Sequence, residues 1–214
     1  MKKPEILHIL SAIVILTFVS GFAFSISKEW NKVAMAFGFS AIIIIITVAA
    51  KKLTAYSLDS NVEHEIWMFS RYGFHPHDYF KKPVPAGLIL PFIISIIFLG
   101  TIKMMTFLTY QTHALKHRAA KRFGFYSFTE MTDWHNGVIG AAGILSLLLL
   151  SFISYILPAS NLEYLARMSA YYAFWNLLPI SKLDGTQILF GSRVLWAILF
   201  TLTSIFCIFS IIIP

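Results

Sequence analysis

Apolar positions along the chain cluster into six long runs, at about 5–27, 33–50, 86–112, 134–158, 163–181 and 194–213, each with little or no charge. A helix of about 20 residues crosses a hydrocarbon layer roughly 30 Å thick, and every run is close to or above that length. The pattern predicts an all-α integral membrane protein, a bundle of six transmembrane helices. The first run follows the basic start "MKK" and resembles a secretory signal. At about 20 apolar residues it is long for one, so a retained first span is expected. The sizeable polar interruption is 51–85, where "EHEIWMFSRYGF" reads as an amphipathic interfacial helix with Trp67, Phe69 and Tyr72 at headgroup level.

Composition agrees with this outline. The 214 residues are 57% hydrophobic and 13% charged, which excludes an ordinary soluble domain. The net charge is +7, but the basic residues gather at the ends of the runs. There they suit the headgroups of a lipid bilayer better than nucleic acid. Eight Lys and Arg fall on each side of the six-span layout, so charge alone sets no orientation. Lys103 lies within the third run, where an ionisable residue is either functional or snorkels to the interface. The single cysteine, Cys207, sits inside the last run and leaves no disulfide framework or Cys-based metal site.

Two stretches carry candidate chemistry. In "THALKHRAAKRFG", His113 and His117 are four apart, which places two imidazoles on one face of a helix, ready for a metal. In the metalloprotease signature the residue after the first His is the general base Glu; here it is Ala114. The second stretch is "NLLPISKLDGT", Asn176 to Thr186. Asn176 and Pro179 are costly in an apolar span, and Asp184 is the only carboxylate in the last 50 residues. In a six-span layout, spans three and five end on one side, which brings His113, His117 and Asp184 together.

Asn176-x-x-Pro179-x-x-x-Leu183-Asp184-Gly185 resembles the site-2 protease family of intramembrane zinc metallopeptidases. The resemblance extends over about residues 90–190, with "GVIGAAGILS" in the place of the family's small-residue helix. It implies a three-helix core within 86–190, flanked by two accessory helices and an interfacial segment in 1–85 and by a C-terminal helix in 191–214. It also implies zinc on His113, His117 and Asp184, that side facing the cytoplasm of a cell membrane, and a partner's transmembrane helix held near Asn176 and Pro179.

The chain departs from the family at Ala114, at Ile144 and Leu147 in place of Pro and Asn, and at Thr186 in place of a second Gly. The family's sheet between the first core helices is expected to be absent, with Gly124 ending one helix and Ser127 to Glu130 capping the next. Glu130 and Asp133 are weak substitutes for the missing base. The reading is a degenerate zinc metallopeptidase, a pseudoprotease that binds without cutting. The alternatives are an active intramembrane metallopeptidase and a transporter or scaffold without metal. Span four is expected to pack on span three or five through Gly137, Gly140, Ala141 and Gly143. His135 is a possible fourth ligand or an interfacial residue. "HPHD", His75 to Asp78, reads as a turn on the far side, and His64-Glu65 lacks a second His because Met68 stands there.

Overall fold

A computed structural model of the chain describes residues 3–71, 75, 79–115, 131–157 and 161–212. Helices α1 (Lys3–Ile26) and α2 (Trp30–Ser57) come first. Strands β1 (Ser60–Ile66), β2 (Phe69–Arg71) and β3 (Tyr79–Val84) follow, then α3 (Ala86–Ile97) and β4 (Leu108–Ala114). The chain continues through α4 (Asp133–Ile156), α5 (Leu162–Leu177), α6 (Asp184–Gly191) and α7 (Arg193–Ile212). Among the described residues four helices, α1, α2, α4 and α7, are long and apolar enough to cross a membrane. Their outer faces expose large apolar side chains such as Leu7, Ile45, Leu149 and Ile198, which is consistent with a membrane protein.

The third run is therefore not one continuous helix, and the helix of the fifth is shorter than the run. Helix α3 stops after 12 residues, where Leu99 and Gly100 turn into the left-handed region at φ of 50° and 76°. The chain then runs from 98 to 107 without helix or strand before entering β4. Apolarity alone hid this break, because a buried extended segment and a buried helix are equally apolar. Helix α5, at 16 residues, extends only about 24 Å.

The interfacial helix expected over "EHEIWMFSRYGF" is also overturned. Val62, His64 and Ile66 are buried while Asn61, Glu63 and Glu65 face outward, the period of two that belongs to a strand. β1 pairs antiparallel with β4, from Ser60 opposite Ala114 to Ile66 opposite Leu108. A second pair joins β2 to β3. Trp67 is buried rather than at headgroup level, and Tyr72 lies outside the described residues. Among the described residues the chain is thus mostly helical with two small sheets, and not all-α.

The segment 98–107 threads through the interior, with Met104, Met105, Thr106 and Phe107 buried. Backbone there has no helix to satisfy it, and irregular backbone is tolerated among membrane helices only where protein supplies its hydrogen bonds. Trp67 N donates to Phe107 O at 2.8 Å. The Asn176 amide donates to Met105 O at 3.0 Å and to Tyr172 O at 2.8 Å.

Around this segment, α2 packs on α1 and α4, α4 on α5 and α6, and α5 on α7. The small residues of α4 are buried at these contacts; Gly140 meets Tyr110 of the third run as expected, while Gly137 and Gly143 meet other partners. Gly137 faces Gln187, Ile188 and Gly191 of α6, Gly140 faces Tyr110 and Ile188, and Gly143 faces Lys51 and Thr47 of α2.

Gly185 makes the closest approach of all. A Cβ there would lie 1.9 Å from Leu177 O and 2.3 Å from its carbonyl carbon. Gly185→Ala is expected to cost on the order of 3 kcal/mol or more, because rigid backbone must move. Gly38 in α2 has nothing within 4 Å, so Gly38→Ala should stabilise by about 0.5–1 kcal/mol. Thermal unfolding of both variants in detergent tests the pair; equal stability would contradict the packing at Gly185.

Candidate functional site

Asp184 opens α6 just after a turn in which Ser181 adopts φ of 53°. Leu183 is fully buried beside it, and Gly185 lets the turn lie against the end of α5. The Leu-Asp-Gly triplet therefore anchors, presents and admits in three successive residues. The Asp184 carboxylate is itself buried, at 1% exposure. Its Oδ2 lies 2.6 Å from Nζ of Lys51, which is 2% exposed in α2. A buried carboxylate and a buried ammonium each carry a large desolvation cost, which their pairing offsets.

The surroundings hold the lysine rather than merely tolerate it. Its ammonium stands 4.6 Å from the centroid of the Tyr110 ring, a cation–π contact in a dry site. The Tyr110 hydroxyl donates to Asn136 O at 2.6 Å. On the other side, a Cβ at Gly143 would come within 2.6 Å of Lys51 Cε, so the glycine makes room for the side chain. Thr47, one helical turn before Lys51 and also against Gly143, donates to Ile43 O. Asp184 Oδ1 and Thr186 Oγ1 are buried without a hydrogen-bond partner.

The adjacent Lys52 serves a different carboxylate. Its Nζ lies 2.7 Å from Oε1 of the buried Glu5 in α1. Glu5 also receives the backbone N–H of His64 at 3.3 Å and lies 3.3 Å from His64 Nδ1. Burial first, and then the nearby charge of Lys51, push His64 down to about 3 against the pull of Glu5. It is a neutral imidazole at physiological pH.

His113 is not at a helix end. It lies on β4 opposite Asn61, exposed and next to exposed Gln111 in the strand's outward alternation, whereas Tyr110 and Thr112 share the other face. The helical spacing expected for His113 and His117 therefore fails at its first member, because the run ends in a strand. Ala114 is the last residue of that strand. His117 and Glu130 lie outside the described residues. Asp133 is exposed in the first turn of α4. His135 lies one turn into the capped start of that helix, its backbone N–H held by Thr132 Oγ1 at 3.4 Å. Among the described residues no three His, Cys, Asp or Glu side chains gather as a metal-binding group. Asn176 is buried with its amide turned onto the chain's own carbonyls, and Pro179 is exposed on the turn.

Beside the ion pair lies a cavity of about 590 Å³ between β4, the start of α4 and α6. Glu65, Tyr110, Thr112, Asp133, Asn136 and Gln187 are among its lining residues. Thr112 donates to Asn136 Oδ1 at 2.5 Å, and Gln187 Nε2 donates to Tyr110 O at 3.1 Å. No family model, curated protein or solved structure matches this chain.

Lys51, Tyr110 and the Glu5–Lys52–His64 group were not singled out by the sequence reading. Lys51 and Lys52 close an apolar run and read as headgroup contacts. The available signal was Asp184, a lone carboxylate among apolar neighbours, which needed a cation from elsewhere.

Removing one member of the pair should be costly: Lys51→Met or Asp184→Asn should each lose about 3–5 kcal/mol, and Lys51→Met with Asp184→Leu should recover most of it. Chemical unfolding in detergent reads this directly, and single variants as stable as the parent would contradict it. His64 gives a pH test. Its folded pKa lies below its unfolded value of 6.5, so its contribution is full above pH 6.5 and is lost as pH falls toward about 3. His64→Gln should flatten the stability profile over that window.

Proposed function

We propose that the protein is a site-2-protease-like membrane protein that keeps the family's aspartate but places a lysine ammonium where the resemblance implies zinc. It holds a partner segment without cutting it. The observation that carries this reading is the buried Lys51–Asp184 pair. A carboxylate bound to a metal needs its lone pairs free for the ion and companion ligands that converge on it. Asp184 instead meets a fixed cation, and His113 faces outward from another strand face. These two placements support a reading without zinc, and His117, the second histidine of the expected set, lies outside the described residues. A lysine also generates no nucleophilic water, so the arrangement neutralises the aspartate without supplying hydrolytic chemistry.

The partner is placed in the cavity beside the pair rather than at Asn176, whose amide serves Met105 and Tyr172. That cavity is polar on its β4 and α4 walls and suits the juxtamembrane end of a transmembrane segment. By the same resemblance, the Asp184 side faces the cytoplasm of a cell membrane.

Thr47 and Lys51 are one turn apart on the face of α2 that meets Gly143. Thr47→His with Lys51→His would place a His-x-x-x-His pair toward Asp184. The purified parent is expected to hold well under one zinc per chain and to leave a helical transmembrane substrate intact. The double variant should gain roughly one zinc, lost again on Asp184→Ala. Stoichiometric zinc in the parent, removed by Asp184→Ala, would overturn the reading. So would chelator-sensitive cleavage by the parent.

A further inference from the structure

A second cavity, of about 490 Å³, is enclosed by the 98–107 segment, α5 and the end of α7. It runs along α5 from Tyr164 to Trp175 and reaches Ser210 and Ile211 at the end of α7. Tyr164, on its wall, precedes the end of α5 by 13 residues, roughly 20 Å of helix. Two cations line it, Lys103 and Arg167, and none of its lining residues is a carboxylate.

Within the described residues neither cation has a close, buried carboxylate partner. Lys103 makes no ion pair and stands 5.4 Å from the centroid of the Tyr164 ring. Arg167 reaches Glu163 only at 3.9 Å, between side chains that are both partly exposed. Its Nε is buried with no hydrogen-bond partner. Two like charges sharing an enclosed space repel one another more strongly than in water. An anion between them would reverse that term and give the guanidinium an acceptor.

The rim says which anion. Leu99 is 66% exposed, Ile102 42% and Ile211 68%, and Ile102 and Ile211 line the cavity directly. Tyr171 and Trp175 stand within it, amphipathic rings of the kind found where acyl chains meet headgroups. A small hydrated anion would gain nothing from that apolar mouth, whereas a phospholipid would lay its chains along it. We propose that Lys103 and Arg167 form a binding site for the phosphate of an anionic phospholipid, its headgroup in the cavity and its chains along Ile102 and Ile211. Basic pockets between membrane helices recognise headgroups by this chemistry. The site stands independently of the reading given to Asp184.

The test uses the full chain, purified in detergent, stripped of lipid and titrated with phosphatidylglycerol, phosphatidylcholine or inorganic phosphate, with bound molecules counted by native mass spectrometry. Phosphatidylglycerol should be retained in preference to phosphatidylcholine. Lys103→Gln and Arg167→Gln should each weaken it by about fivefold or more, while Lys103→Arg should keep it. Equal retention of the two lipids would overturn the proposal, as would unchanged binding by Lys103→Gln. Equal loss in Lys103→Arg and Lys103→Gln would show that charge is not the cause. Inorganic phosphate competing as well as the lipid would assign the site to a free anion and reject the lipid.

Discussion

A carboxylate buried beneath a helix bundle must be neutralised, and the Lys51–Asp184 pair does this with residues 133 positions apart in the chain. Much of the surrounding architecture follows from that need. Gly143 clears space for the lysine stem, and Gly140 clears space for the Tyr110 hydroxyl. Tyr110 offers its ring to the ammonium, and Gly185 lets the aspartate's turn settle on the end of α5. Glycines on α4 therefore do more than let helices approach, since they size the recess in which two charges meet.

The second constraint is the irregular segment 98–107. A chain that abandons helix inside a bundle exposes carbonyls that neither lipid nor apolar side chains can satisfy. Asn176 answers for Met105, and the Trp67 N–H answers for Phe107. Asn176 belongs to the same motif as Asp184, one side chain stabilising backbone and the other meeting a cation. Pro179 between them prevents the helix from continuing, so the turn that carries Ser181, Leu183 and Asp184 can form.

Four long helices were legible because about 20 apolar residues with few charges admit few other structures. The third run misled because apolarity reports burial and not backbone form. Gly100 and the threonines and aromatics of "FLTYQTH" were the local signs of a break and an extended return. In β1 the alternation of Val62, His64 and Ile66 was present in the sequence, but aromatic residues downstream drew it into an interfacial helix. The metal reading set His113 and His117 on one helical face; His113 lies on a strand instead, and His117 lies outside the described residues. Asp184 stood out as a lone carboxylate in apolar surroundings; its partner did not, because a lysine closing an apolar run is ordinarily a headgroup contact.

Lys51 and Lys52 deserve to be considered together, since neighbours on a helix point about 100° apart. One reaches Asp184 of α6 and the other Glu5 of α1. With His64 neutral, two lysines face two carboxylates, and the buried group carries no net charge. This balance ties the first helix, the second helix, β1 and the α5–α6 turn into one unit. A zinc ion in the place of the Lys51 ammonium would bring two charges where the lysine brings one, and would require ligands that must deprotonate or turn inward. A covalently attached cation avoids both demands, and its geometry does not depend on metal supply. The pair forms a fixed, charge-balanced connection next to Tyr110 and Thr186, which line the cavity. On the proposed reading, such a preformed surface has less freedom to lose when a partner binds.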